Sequence, residues 1–533
     1  MTTTLPEKAD YVIAGGGTAG LVVAARLSEN PEVTVLVLES GPDGTNDPRV
    51  KDLKNWPATL GSELDWKYQS VEQTGLNNRK QDHPAGRILG GSSAINGGIY
   101  LAPSPAGIDA WASLGNPNWD WKSLRPYLEK SLVATPESDD YAPGSIKISY
   151  PELAKTDKDP LVQAWVNTFK AQGYRHNTDI LAEESAIGIR DYAAAIDPVS
   201  GLRSSADREY GAVAATRSNV TIVPNASVRK ILFHSVPQQV TATGVEVVYN
   251  NECRIVNATK EVILAAGAFH TPNLLELSGI GSQERLHQLG IPTVVDQPGV
   301  GENLQNHLMS VLPVPIKSTP ESAKITAGAK AMAFTRLDPE EQSQFLAAYP
   351  ASGNTSDQAI RSLIQSPKEA SALLILVVRP GNLALLIAIP SFPFSRGSIH
   401  ISSTDPDVQP TFDLGSLSNE LDMEILAHHT RDLYDLISSD TLRPFLQSIP
   451  ALESLDEIKN HLRASAATAH HICGTAAMRP REDGGVVDQD LRVYGTTNLR
   501  VVDASIFPLI PHGNPMSTVY AVAERAADII RSA

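Results

Sequence analysis

The first forty residues leave this chain few ways to fold. Asp10-Tyr11-Val12-Ile13-Ala14 is a short apolar run of the kind that forms a buried parallel strand. It enters Gly15-x-Gly17-x-x-Gly20, after which Leu21, Ala24, Ala25 and Leu27 mark one face of a helix. A second apolar strand, Val33 to Leu38, ends in Glu39. A lone glycine motif is weak, because glycine turns also join strands to helices for packing alone. Strand, motif, helix, strand and terminal acid in succession make a βαβ unit that binds a dinucleotide. Gly15, Gly17 and Gly20, with Thr18 and Ala19 opening the helix, let the backbone approach a pyrophosphate whose charge sits at the helix N-terminus. Glu39 is placed to accept hydrogen bonds from an adenosine ribose, and its carboxylate would repel a 2′-phosphate. That disfavours NADP and leaves FAD or NAD.

At 533 residues the chain is too long for one compact core and predicts two or three domains. Its net charge of −16 argues against nucleic acid or an anionic membrane as a partner. The two cysteines, Cys253 and Cys473, have no metal-ligand spacing, so neither a disulfide framework nor a metal site is expected. Met1 to Ala9 lacks the apolar stretch of a secretory signal peptide, and a cytoplasmic location is the default expectation. The most apolar region, Ala372 to Ile389, is interrupted by Arg379-Pro380-Gly381-Asn382. This is turn chemistry, so the region reads as two buried strands and not as a membrane span.

A second glycine-rich stretch runs from Gly86 to Tyr100, with Gly90, Gly91, Ser92, Ser93, Asn96, Gly97 and Gly98 set among Leu89, Ile95 and Ile99. So many positions without side chains suit a backbone that lies close against a planar or phosphorylated ligand. Gly86-Arg87-x-Leu89-Gly90-Gly91-Ser92-Ser93-x-x-Asn96-Gly97 resembles the first signature of the glucose-methanol-choline (GMC) family of FAD-dependent oxidoreductases. Trp111, Gly115-Asn116, Trp119-x-Trp121 and Tyr127 follow at that family's spacing, although Ala102-Pro103 stands where relatives often carry Arg-Gly. Gly267-Ala268-Phe269-His270-Thr271-Pro272, continuing to Ser278-Gly279-Ile280-Gly281, is similar to the second signature. It reads as a strand, a turn and a helix that begins near Pro272 and stops at Gly279, with His270 structural.

The resemblance implies an FAD-binding Rossmann-like α/β domain with an inserted α+β substrate domain, an antiparallel sheet covered by helices. The expected FAD domain is discontinuous, 1–105, 200–304 and 456–533. The segments 106–199 and 305–455 form the substrate domain and flavin lid, with helices such as Ala323 to Phe334 and Asp422 to Ile437. The resemblance further implies that Arg87, Gly91, Ser92 and Asn96-Gly97-Gly98-Ile99 lie along the flavin, and that the backbone of Val228 touches the adenine half. The strand Leu499 to Val502 delivers Asp503 and Ala504 to the cofactor.

Catalytic chemistry concentrates near the C-terminus. Asn514-Pro515-Met516 opens a helix over Met516 to Ile530 whose positive end can face the flavin. Asn514 and Pro515 suit its N-cap and first helical position. In the family, a histidine of a His-x-x-Gly-Thr segment and a His or Asn before the last helix form the catalytic pair. By register these are His471 and Asn514. Neighbouring residues of a strand face opposite sides, so one of His470 and His471 is expected in the pocket, and register favours His471. His512 is a less favoured pocket residue. A neutral imidazole suits removal of a hydroxyl proton near neutral pH. Asn514 can donate an N–H to the substrate oxygen. The implied activity is oxidation of a small aryl, furan or unsaturated primary alcohol by hydride transfer to flavin N5. Either O2 or a quinone-like acceptor would take the electrons onward. A redox-neutral flavoenzyme of the same fold, lyase- or decarboxylase-like, is the alternative.

Overall fold

The computed structural model describes residues 5–133, 142–153, 158–178, 180–181, 185–236 and 239–533, so parts of the expected 106–199 segment lie outside the described residues. Two seven-stranded sheets organise it. In the first, Lys8–Ala14 is central, paired in parallel with Val35–Leu38 on one side and Glu252–Leu264 on the other. Val220–Val223 extends the sheet beyond Val35–Leu38, and Leu499–Val501 pairs with Glu252–Leu264, both in parallel. Ala226–Val236 and Gln239–Tyr249 complete it as an antiparallel meander. Ala14 stands opposite both Leu38 and Leu264, and Leu264 opposite Val501, so the parallel strands end at one level. Ligands of open α/β sheets bind in the crevice beyond that carboxyl edge. Gly15, Glu39, Ala265 and Asp503 each follow within two residues of such an end.

The helix Thr18–Leu27 covers this sheet and is buried at every residue but its first. Beside it lies the C-terminal helix Met516–Arg531, whose Glu524 is fully buried. Glu524 accepts from Arg26 Nη2 at 2.7 Å, the Tyr210 hydroxyl at 2.8 Å and Lys130 Nζ at 2.9 Å. Such a buried carboxylate is tolerable only with its partners in place. Lys130 belongs to the helix Trp121–Lys130, and Arg525 sits 4.2 Å over the Trp119 ring. The segment from 106 to 130, expected in the substrate half, therefore packs on the nucleotide domain. The indoles of Trp111 and Trp119 donate to the carbonyls of Leu509 and Gln489, holding it there.

The second sheet runs Ala467–Thr468, Leu308–Pro315, Leu383–Pro390, Ala372–Arg379, Gly328–Thr335, Gly188–Asp191, His176–Asn177. All its pairings are antiparallel except the last. The two apolar runs form the expected hairpin, turned through Gly381 and Asn382 with positive φ. Their continuous hydrophobicity has a simple cause: one face is covered by helices and the other lines the interior space between the sheets. Leu374, Leu376, Leu386 and Ala388 pack against the helices Pro160–Ala171 and Glu420–Ser438, whereas Leu373, Ile375 and Ile389 face the other way.

Two expectations fail here. Ala323 to Phe334 is not a helix but a short 3-10 turn, Ser322–Lys324, followed by the strand Gly328–Thr335. Alanine favours helix, yet ladders on both sides of this segment override the local preference. The helix of the second signature begins at Gly267, with Pro272 inside it. Ala268 is the carbonyl that Pro272 cannot satisfy, and it accepts instead from the Thr475 hydroxyl at 2.7 Å. One strand also crosses the expected boundary. Ala467–Thr468, within the 456–533 segment, pairs with Leu308–Pro315 of the second sheet.

Candidate active site

One cavity of about 1560 Å³ lies between the two sheets. A single small-molecule pocket occupies roughly 300–1,000 Å³, so there is room for a large cofactor and a substrate together.

At the carboxyl edge of the first sheet the cavity is made of backbone. Gly15 has φ +110°, and a Cβ on it would stand 2.3 Å from Ala265 O, so no other residue fits the turn. Gly90 N–H donates to Gly16 O at 2.8 Å, and a Cβ on Gly91 would come within 2.8 Å of Gly17 Cα. The two glycine stretches, far apart in sequence, thus clasp each other. The helix Thr18–Leu27 starts beneath them with no side-chain cap, leaving its first N–H groups to a ligand. Gly20 is the exception among the expected contacts. It does not line the cavity, because a Cβ there would meet Gly15 O at 2.0 Å, and its function is close packing of helix on turn.

Glu39 accepts from Gly16 N–H at 2.9 Å and Gly41 N–H at 2.7 Å, one on each oxygen. Burial pushes its carboxyl up to about 7 against the pull of those amides and of Arg87. Each oxygen keeps a lone pair for another donor. Thr18, Ala19, Val228, Ala504, Pro515 and Met516 also border the cavity, as do Arg87, Ser92 and Asn96 to Ile99. Asp503 lines it too while accepting from Gly267 N–H and the Thr271 hydroxyl, at 2.9 and 2.6 Å. Asn96 Oδ1 accepts from Gly98 N–H at 2.9 Å and Arg203 at 3.1 Å. Arg203, fully enclosed and also bonded to the carbonyls of Val50 and Asn96, anchors this loop from behind. Sequence reading missed it, since an isolated arginine gives no sign of burial.

The donor set and the space fit FAD. Gly97 lines the cavity, and a Cβ there would first meet the Trp56 indole, at an ordinary contact distance of 3.7 Å, so its bareness serves a ligand and not packing. Asn514 Oδ1 and Asn273 Oδ1 are buried on the cavity wall without a partner among the described residues.

His471 and Asn514 are brought together. Asn514 Nδ2 lies 3.0 Å from His471 Nε2. Asn514 does not cap the last helix, which begins at Met516 behind Pro515, so its amide is free to face His471. On the other side of the ring, His471 Nδ1 is 2.9 Å from His307 Nδ1. The backbone N–H of His471 donates to Asn306 Oδ1 at 2.9 Å. Burial, and then the nearby imidazoles of His307, His470 and His83, hold His471 well below its ordinary 6.5, so it is neutral at physiological pH. His307 and Asn306 were not singled out by sequence. They lie in Leu304-Gln305-Asn306-His307, which bridges antiparallel to Cys473, a pairing that nothing local announces.

His470 departs from expectation. It adopts φ +63°, so the alternation of an extended strand does not apply, and both His470 and His471 border the cavity. His270 also lines it, accepting from or donating to the Tyr68 hydroxyl at 2.8 Å edge-on to Trp66, and burial holds its imidazole at about 4. His512 does not reach this cavity. It is buried between Glu369, 3.2 Å from Nδ1, and Ala102 O, 3.1 Å from Nε2, and stacks on Phe334.

The GMC oxidoreductase family matches this chain through its N-terminal part over residues 9–309 and its C-terminal part over 393–523. The chain belongs to the GMC oxidoreductase family. It is an FAD-dependent oxidoreductase. The GMC oxidoreductase family protein Mala s 12 of Malassezia sympodialis is 33% identical over 98% of this chain and 92% of its own length. The FAD-dependent oxidoreductase from Chaetomium thermophilum superposes with a TM-score of 0.88 at 30% identity, covering 98% of this chain and 99% of that one. A fungal aryl-alcohol oxidase superposes with a TM-score of 0.85 at 29% identity over 99% of both chains. As in the sequence expectation, this GMC oxidoreductase carries a Rossmann-like nucleotide domain and a second, antiparallel domain. No helix among its described residues is long and apolar enough to cross a membrane, and they hold no cluster of metal-ligating side chains.

Proposed function

We propose that this GMC oxidoreductase oxidises a small primary alcohol on an aryl, furan or unsaturated frame to the carbonyl, with His471 as the base. The observation that carries this reading is the His471–Asn514 pair set against an apolar wall. Met309, Val311, Ile375, Val377, Ile387 and Ile389 line that wall, on three neighbouring strands of the second sheet. They offer flat apolar surface to an aromatic or unsaturated frame and no acid that would attract a cationic substrate. The likeness to an aryl-alcohol oxidase points the same way.

Gly15 to Ala19, Glu39, the Asn96–Ile99 loop and the backbone of Val228 would hold FAD, which supplies the hydride acceptor when bound. His471, neutral at physiological pH, removes the hydroxyl proton at Nε2. Asn514 donates to the substrate oxygen from its amide, a contact that strengthens as negative charge develops there. The enclosing side chains of the second sheet keep bulk water from that proton transfer. O2 or a quinone-like acceptor then takes the electrons.

The test is anaerobic titration of the yellow holoenzyme with 4-methoxybenzyl and furfuryl alcohols. Bleaching of the flavin band, lost in His471→Ala with FAD retained, supports the reading. Consumption of alcohol with the flavin still oxidised would overturn it in favour of redox-neutral chemistry.

A further inference from the structure

His307 precedes the strand Leu308–Pro315, and its ring is completely enclosed. Its Nε2 lies 3.0 Å from Ser391 O. A peptide oxygen only accepts, so Nε2 carries a proton. Burial holds His307 at about 4, so near neutral pH the ring has one proton and its Nδ1 is bare. That bare nitrogen faces His471 Nδ1 at 2.9 Å, which must then be the N–H partner. His471 is left with its lone pair on Nε2, the nitrogen facing the Asn514 amide. An amide NH2 only donates, so the far end of the chain agrees with the near end. The Ser391–His307 half alone is enough to impose the direction.

We propose that His307 is a positioning residue that fixes the tautomer of His471, holding the bare Nε2 toward the substrate hydroxyl. This rests on the reading of His471 as the base. In that step the substrate O–H bond breaks, an N–H bond forms at His471 Nε2, the freed oxygen pair closes the C=O bond, and the C–H electron pair would be taken as hydride by the acceptor that bound FAD supplies. The resulting imidazolium keeps its Nδ1–H directed at His307. The proton cannot pass beyond His307, because Ser391 O cannot hold one, so it stays on the histidine pair through the reduction step.

The arrangement does the work of the carboxylate that orients the base in a Ser-His-Asp triad, but without a charge. A carboxylate would raise the basicity of His471 as well as set its tautomer. Here the groups facing the pair are imidazoles: His470, itself near Asp65 and Asp82, then His83, and His512 with its Glu369 partner. Orientation is therefore supplied while the low basicity is kept.

The decisive measurement is 15N NMR of histidine-labelled holoenzyme, with the His471 signals assigned by their loss in His471→Gln. A protonated Nδ1 and bare Nε2 are expected in the parent. His307→Gln should keep this pattern, since a glutamine side chain can donate from its amide nitrogen to Ser391 O and accept from His471 at its amide oxygen. His307→Leu removes the acceptor and should return His471 toward the Nε2–H form. The anaerobic rate of flavin reduction by 4-methoxybenzyl alcohol should fall about 100-fold or more in His307→Leu, with substrate Kd little changed, and stay within about tenfold in His307→Gln. A bare Nδ1 on His471 in the parent overturns the proposal, as does an equal loss of rate in both variants. If no alcohol reduces the flavin, the alcohol reading fails while the NMR pattern still decides the tautomer, even should the leucine variant not fold.

Discussion

The two ends of the cavity are built from different material. At the nucleotide end the wall is main chain: positive-φ glycines, bare helix amides, and two glycine stretches seated so closely that one Cβ would part them. At the substrate end the wall is side chain, alternate residues of strands that begin at Leu308, Ala372 and Leu383. A main-chain wall is set by consecutive residues and tolerates no substitution that adds atoms. A side-chain wall can change one residue at a time while its strands stay paired, so this end can alter its substrate without disturbing its cofactor.

Gly91→Ala should break that contrast most sharply. With Gly91 at φ +54° and Gly17 Cα so near, the added methyl separates the two glycine stretches. The purified protein should be colourless, measured as flavin absorbance per protein; normal FAD content would refute the clasp. Asn514→Ala comes next. It should keep its flavin but lose about 100-fold in the rate of flavin reduction by 4-methoxybenzyl alcohol. A change confined to KM would mean that Asn514 binds ground state and transition state equally and does not stabilise the developing charge.

Glu39→Gln should weaken FAD binding roughly 10- to 100-fold, the range for a charge-assisted hydrogen bond worth about 1.5–3 kcal/mol. Equilibrium dialysis of FAD against apoprotein reads this directly. On the other side of the comparison, Ile387→Ala should leave flavin content untouched and raise KM for the same alcohol about tenfold. Equal damage to both properties would show that the two ends are not separable.

The smallest effect expected is a displacement in pH. As the proposed base, His471 must be neutral, and its folded value lies well below 6.5 because burial and neighbouring imidazoles oppose the charge. Acidification therefore leaves activity in place through pH 6.5, and the acid limb of flavin reduction falls below that point. A limb at or above 6.5 would mean that a carboxylate, not an imidazole, faces the ring.

The same division explains what could be read in advance. Gly15 to Ala19, Glu39 and the Gly86 to Tyr100 stretch are legible because their chemistry lies in consecutive residues. The helical stripe of Met516–Arg531 and the interrupted apolar hairpin are legible because periodicity and turn residues are local. His307 and Arg203 are not: one is paired through a bridge between segments more than 160 residues apart, the other hidden by burial. His470 shows a third kind of failure, since a single left-handed residue cancels an argument from alternation. Asn514 lacks the capping duty that its sequence suggests, one residue separating a helix cap from a side chain turned to His471.

The last strand and last helix have a consequence for the order of events at the ribosome. Leu499–Val501 joins the sheet begun at Lys8, and Glu524 answers Arg26 across 498 residues. Until that final stretch emerges, the first βαβ unit holds a guanidinium with its main counter-ion still unmade. The nascent nucleotide domain is then an open sheet flank in which Arg26 has Glu29 but not yet Glu524 as its partner. Emergence of this segment both adds the Leu499–Val501 strand to the sheet and delivers Asn514 to His471, so the sheet and the side-chain pair are completed together. A chain stalled short of Asn514 would already carry His471 but lack the amide that faces it.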